Sequence, residues 1–187
     1  MLHSIKHSIA KRYGSLRGAL RYFHYQLLLQ CGFYRRYSRI DFRRVRRLVF
    51  ICSGNICRSP LGECVANSLG FPSVSYGLHC RGGDPADSRA LAYARSVGLD
   101  MDGHRTQNIK SYRPAEGDLL VGMEPAHLRE LEEILGRDRA MTSVMLWGRP
   151  TSIYLHDPYC CCIQYFNFCE AKLFKAVEVI IRHASQR

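Results

Sequence analysis

The stretch Leu48-Val49-Phe50-Ile51-Cys52-Ser53-Gly54-Asn55-Ile56-Cys57-Arg58-Ser59-Pro60 decides the fold. Four consecutive apolar residues suit a strand buried on both faces. A short polar loop with a glycine follows. Small and apolar residues then continue through Ala66 and Leu69, as a helix would. Strand, loop and helix in that order form the first half of a parallel βα unit, and the rest of the chain repeats the alternation. Strands are expected at 74–78, 119–122 and 143–146, and helices at 88–97, 125–135 and 163–183. The expected fold is α/β, a four-stranded parallel sheet with helices on both faces. Ligands of such sheets bind beyond the carboxyl ends of the strands, which is where the loop at Cys52 lies.

That loop has the spacing C-x5-R. A connection this short can curl so that successive backbone N–H groups converge on one point. The positive end of the following helix reinforces this anion nest. Gly54 and Asn55 tolerate the left-handed backbone that such a curl needs. Arg58 supplies a planar fork for two phosphate oxygens. Cys52 would lie at the bottom of the cradle, where the nest and Arg58 favour its thiolate for in-line attack on phosphorus. Transfer to a thiol also needs an acid for the leaving oxygen. Asp157, in Asp157-Pro158-Tyr159 after the fourth strand, is the candidate, and Pro158 stiffens its turn. A lone C-x5-R is common and most cysteines are packing residues. The strand–loop–helix setting and the distant Asp-Pro turn lift this one above that background.

Charge divides the chain. The 187 residues carry a formal net charge of +11. Residues 1–47 hold twelve Lys/Arg and one acid, Asp41, and the remainder holds fifteen of each sign. An extension, residues 1–45, thus holds +9 of the excess, and Arg46 and Arg47 supply the rest at the start of a body, residues 46–187, that is neutral from residue 48 on. In the extension Leu2, Ile5, Ile9, Tyr13, Leu16, Leu20, Phe23 and Leu27 recur at steps of three or four, the pattern of a basic amphipathic helix over 2–27. Arg35 to Arg47 reads as a basic linker. Such a segment suits contact with a membrane surface or a partner, or a transit-like peptide. It lacks a base-reading motif, and the body has no positive excess, so no nucleic-acid partner is expected. No apolar run is long enough to cross a membrane. Nine cysteines, three of them adjacent (Cys160, Cys161 and Cys162), do not read as a disulfide framework. With no signal peptide in view, a reducing cytoplasm is expected. No paired C-x2-C elements suggest zinc, and no metal or other cofactor is expected.

The loop sequence resembles the signature of the low-molecular-weight protein tyrosine phosphatases. Further matches run down the chain at Ser75-Tyr76-Gly77, Asp84-Pro85-Ala86-Asp87, Gly103-His104-Arg105, residues 118–124 and Asp157-Pro158-Tyr159. The resemblance covers residues 46–187. It implies the flavodoxin-like fold of that family and hydrolysis of phosphotyrosine in proteins through a phosphocysteine. Cys52 would be the nucleophile, Arg58 the phosphate clamp and Asp157 the acid and then the base. Ser53, Gly54, Asn55, Ile56, Cys57 and Ser59 would form the phosphate loop. Ser59 would also steady the thiolate, Asn55, Ser75 and His104 would hold the loop's shape, and Tyr159 would wall the substrate ring. Cys57 matches a loop cysteine that can trap an oxidised Cys52 as a disulfide. Met123-Glu124 and the glycines near Gly82 resemble the bacterial branch that acts on tyrosine kinases of capsule or exopolysaccharide synthesis. A phosphotyrosine protein, such as one of these kinases, is the implied partner.

The chain departs from the family at Gln107-Asn108, where Arg-Gln is usual, and at Cys80, where eukaryotic members place an aromatic ring. Cys160-Cys161-Cys162 replaces polar or glycine residues and suits packing at a helix start. Three other readings fit less well. Classical and dual-specificity tyrosine phosphatases place their acid before the Cys loop. An arsenate reductase of this fold needs resolving cysteines after the third strand, and residues 119–135 contain none. A non-catalytic phosphotyrosine-binding module would not need Cys52, Arg58 and Asp157 together. Deleting residues 1–42 should leave aryl phosphatase activity largely unchanged.

Overall fold

A computed structural model describes residues 2–186, with side chains from residue 6 onward. Leu2 and Ile5 of the expected amphipathic pattern thus have side chains outside the described residues. The elements are α1 (Leu2–Tyr13), α2 (Leu16–Gln30), β1 (Arg47–Cys52), α3 (Arg58–Ser68), β2 (Ser73–Gly77), α4 (Ser88–Ser96), β3 (Asp118–Gly122), α5 (Pro125–Leu135), β4 (Met141–Ser143) and α6 (Ile163–Ser185). The sheet is wholly parallel, in the order β2-β1-β3-β4. The chain leaves β1 toward β2 on one side and returns to β3 on the other. The carboxyl end of β1 therefore opens on the switch point where such sheets form their crevice.

β1 is buried along both faces, which explains its unbroken apolar run. Leu48, Phe50 and Cys52 join the core made with α3, α4 and α6. Val49 and Ile51 join the opposite core, with Leu128 and Leu131 of α5. α3 lies close on the sheet because Gly62 faces Phe50. A Cβ there would stand 2.7 Å from the ring.

Two elements differ from their sequence expectation. The fourth strand ends at Ser143, and Val144–Leu146 turn as a 3-10 helix. Leaving the sheet buries Val144 and Met145 in the core lined by α6. The expected helix over 2–27 is two helices. Gly14 takes a left-handed φ of +80°, and Ser15 caps the second helix by accepting the Gly18 N–H at 2.9 Å. The break lets α1 contact α6 while α2 crosses the segment before Asp157. The basic stretch after α2 folds into 3-10 turns at Arg35–Ser38 and Phe42–Arg44. Tyr37 and Val45 are buried in the two cores, and Phe42 stacks on His183 and meets Trp147 edge-on.

Candidate active site

Residues 52–58 curl at the carboxyl end of β1. Asn55 has a left-handed φ of +55°, the sole positive φ of a non-glycine among the described residues. That conformation turns its N–H back to Cys52 Sγ, 3.2 Å away. Ser59 Oγ, from the first turn of α3, lies 3.0 Å from the same sulfur. Cys52 is buried, with 3% of its surface exposed.

Asn55 is also the hub of the loop. Its Nδ2 donates to Ser59 Oγ at 2.9 Å and to Ser75 Oγ at 2.8 Å. Its Oδ1 accepts the Gln107 N–H at 2.7 Å, and its carbonyl accepts from His104 Nε2 at 2.9 Å. Burial holds His104 below the usual imidazole range, so a neutral ring with its proton on Nε2 fits this bond. Ser75 in turn donates to Glu63 Oε2 at 2.5 Å. Gln107 serves through its backbone alone, since its carbonyl also accepts the Gly77 N–H at 2.8 Å. The departure from the family at that residue thus leaves the network intact. The loop passes so near Gly77 that a Cβ there would lie 3.0 Å from the Asn55 nitrogen.

Arg58 has a fully buried side chain. Nη1 donates to the Leu155 carbonyl at 2.9 Å, and Nη2 pairs with Asp157 Oδ2 at 3.0 Å. Its Nε has no partner among the described residues. Arg58 thus ties the loop to the segment that carries the acid. Asp157 itself is open to solvent. Its Oδ1 accepts the Tyr159 N–H at 3.1 Å, the turn that Pro158 stiffens. Tyr159 stands out from the surface, its carbonyl held by Arg89 Nη2 at 2.8 Å, and Arg89 is itself paired with Asp87. Ile56 packs partly against the core, and its carbonyl accepts the Asp87 N–H at 2.8 Å. Gly54 lies at the partly open rim of the loop. Cys57 caps α3 without a side-chain bond, and burial pushes its thiol up, as does nearby Glu170.

Cys52 to Ser59, Ser75, His104 and Asp157 lie in or against this loop, whereas Tyr159 stands out beside Asp157. Four groups were not singled out. Ser53 Oγ meets His127 Nε2 at 3.1 Å. His127 Nδ1 accepts the Met123 N–H at 3.3 Å, and burial holds the ring neutral, so Nε2 carries the proton and donates to Ser53. Glu124 lies 3.4 Å from the same nitrogen, its acidity weakened by burial. The Leu155 carbonyl is a third unexpected partner. The fourth is Glu170 of α6, fully buried, with neither carboxyl oxygen partnered among the described residues. Burial pushes it up to about 8, with Arg58 pulling the other way. A carboxylate amid Phe166, Cys169 and Leu173 on an apolar helix stripe was the readable signal for it.

Cys161 and Cys162 pack against the α6 core, and Cys160 is exposed. All nine cysteines are free. Among the described residues no group of three or more His, Cys, Asp or Glu is arranged to hold a metal, and no helix is long and apolar enough to cross a membrane.

Residues 47–185 match the family model described as low molecular weight phosphotyrosine protein phosphatase. The chain is 30% identical over 118 residues to the probable low molecular weight protein-tyrosine-phosphatase EpsP of Ralstonia nicotianae, covering 62% of this chain and 79% of that protein. It is 32% identical over 104 residues to the protein-tyrosine-phosphatase Etp of Escherichia coli K12, covering 54% and 69%. The crystal structure of the Erwinia amylovora tyrosine phosphatase amsI superposes with a TM-score of 0.66 at 25% identity, over 76% of this chain and 95% of that one.

Proposed function

The chain belongs to the low molecular weight phosphotyrosine protein phosphatases, and we propose that residues 52–58 with Asp157 hydrolyse phosphotyrosine in proteins by way of a phosphocysteine. The observation that carries this reading is the Cys52 sulfur, held 3.2 Å from the Asn55 N–H and 3.0 Å from Ser59 Oγ in a loop whose Arg58 pairs with Asp157.

In the first step Cys52 Sγ attacks phosphorus and the bond to the tyrosine oxygen breaks. Asp157 gives its proton to the departing phenolate. Arg58 and the N–H groups of residues 53–58 hold the phosphoryl oxygens, where negative charge gathers. In the second step water attacks the phosphocysteine, Asp157 takes its proton, and the S–P bond breaks to free phosphate. Ser59 steadies the returning thiolate. Tyr159, exposed beside Asp157, offers a face for the substrate ring. Cys57, in the same loop, would trap an oxidised Cys52 as a disulfide. No step calls on a metal.

The physiological substrate in this reading is a bacterial tyrosine kinase of polysaccharide synthesis, as the resemblance at Met123-Glu124 and near Gly82 implies. The nine free cysteines support a cytoplasmic setting, and residues 1–45 supply a contact surface outside the catalytic loop. The test is turnover of p-nitrophenyl phosphate. Cys52→Ser should abolish turnover while phosphate still binds. Asp157→Ala should slow it by roughly 10²–10⁴-fold, as loss of a general acid does. EDTA should change nothing. Turnover by Cys52→Ser, or loss of activity in EDTA, would refute the mechanism.

A further inference from the structure

α2 is amphipathic in an inverted sense. The side facing the body is small and aromatic. Gly18 is buried and lies so close to His156 that a Cβ would stand 2.9 Å from its ring. Tyr25 meets Tyr154 at 5.2 Å between centroids. The opposite side carries Leu16, Leu20, Phe23 and Leu27, exposed by 62%, 65%, 58% and 60%, and Phe33 just beyond the helix is exposed by 70%. At 3.6 residues per turn the four helical positions fall within about 60° of arc. They form one stripe pointing directly away from the body. Isolated exposed leucines need no explanation, but an aligned row of this kind marks an interaction surface.

The charge around the row says what covers it. Arg17 borders it, and Lys6, Lys11, Arg12, Arg35 and Arg39 lie exposed on the same hairpin and the turn after it. Among the described residues Lys6, Lys11, Arg12, Arg17, Arg35 and Arg39 form no salt bridge. Residues 1–47 contain a single acid. A second copy would bring the same positive segment against this one. A bilayer with anionic headgroups accepts both features, since the leucines enter the acyl boundary while the cations meet the phosphates. One signal alone gives marginal attachment, and two together give stable attachment. Among the described residues no helix is long and apolar enough to span the bilayer.

We propose that the Leu16–Leu20–Phe23–Leu27 face of α2 docks on an anionic membrane surface and lays the catalytic domain on the bilayer. This deepens the contact role given above to residues 1–45, and vesicle binding is read without substrate, so it fails or holds independently of the chemistry. The test is sedimentation of the full chain with vesicles of phosphatidylcholine alone or with ~30% phosphatidylglycerol, an anionic content in the range that gives a strong surface potential. Binding is expected only to the anionic vesicles and should fall as salt screens the cations. The double variant Leu20→Glu/Phe23→Glu should bind roughly tenfold less or weaker still, with wild-type p-nitrophenyl phosphate turnover as the check that it is folded. Lys11→Glu/Arg17→Glu, which leaves the stripe intact, should also bind less. Absence of binding to anionic vesicles would overturn the proposal, as would binding that neither variant weakens. Dimerisation without vesicle binding, lost in Leu20→Glu/Phe23→Glu, would overturn it in favour of a second copy.

Discussion

Replacing Asn55 by Ala tests whether one side chain holds the catalytic loop in shape. The substitution removes two donated bonds, to Ser59 and Ser75, and one accepted bond, from the Gln107 N–H. Each such bond contributes about 0.5–1.5 kcal/mol net, and a buried donor left unpaired costs about 1–3 kcal/mol. Alanine must also adopt φ near +55°, which costs about 1 kcal/mol or more for a residue with a Cβ and no local bond. The sum is roughly 3–5 kcal/mol, a large share of a typical domain's 5–15. Calorimetry should show a fall in Tm of roughly 10 °C, taking ~2–4 °C per kcal/mol for a chain of this size. Turnover should fall as well, because the Asn55 N–H that faces Cys52 Sγ moves with the backbone. Asn55→Gly separates the two causes. It relieves the dihedral but restores no bond, so it should recover about 1 kcal/mol and no more. If Asn55→Ala loses less than about 1 kcal/mol and keeps wild-type kcat, the side chain is not the loop's anchor. Full recovery in Asn55→Gly would show that the dihedral, not the bonds, is what matters.

Glu170 predicts a pH effect. In the unfolded chain it ionises near the usual carboxylate value, whereas in the folded chain it keeps its proton to about 8. Between those values the unfolded state binds fewer protons, so stability falls as pH rises, by about 3 kcal/mol up to neutrality. Glu170→Gln should match wild type near pH 4.5 and exceed it at pH 8 in urea unfolding. Parallel pH dependences for the two proteins would disprove the buried-acid reading. Removing residues 1–42, which from sequence alone should be harmless, should lower Tm by roughly 10 °C. It deletes buried Tyr37, whose hydroxyl donates to Glu132 and whose carbonyl accepts from Thr142 Oγ1 at 2.7 Å. Loss of one buried aromatic is worth about 3–5 kcal/mol. An unchanged Tm and turnover would make the segment a mere appendage.

The nucleophile, clamp and acid were legible because each lies in a local pattern. β1 and the loop are contiguous, and Asp157-Pro158 announces a turn. The His127–Ser53 bond and the Arg58 bond to Leu155 were not legible. They join residues 74 and 97 positions apart, and one partner is a backbone carbonyl that no side-chain pattern marks. The helix break at Gly14 was hidden by a different cause. The apolar steps of three and four run straight through it, and periodicity reports which residues share a face, not whether the backbone continues. The same periodicity says nothing of direction. Leu16, Leu20, Phe23 and Leu27 would read alike on a buried face, and their outward aim follows from Gly18 and Tyr25 meeting the body on the opposite side.

That inversion assigns separate consequences to the two faces of α2. Its inner face touches the segment that holds the acid. Ser15 Oγ lies 3.4 Å from His156 Nε2, and Tyr154 bonds His156 Nδ1 at 2.6 Å. The next residue along is Asp157, and Leu155 grips Arg58. A side chain at Gly18 would meet the Tyr13 carbonyl at 2.1 Å and the His156 ring at 2.9 Å, so it must shift the α1–α2 turn against the segment that places both Asp157 and the clamp. On the outer face Phe23 rests against Tyr13 and Tyr22 of the hairpin, away from the site, so charges placed there leave the site alone. Gly18→Val should depress turnover of p-nitrophenyl phosphate more than its effect on Tm explains, whereas Leu20→Glu should spare it. Equal effects of the two substitutions on kcat would mean that the hairpin does not set the acid's position.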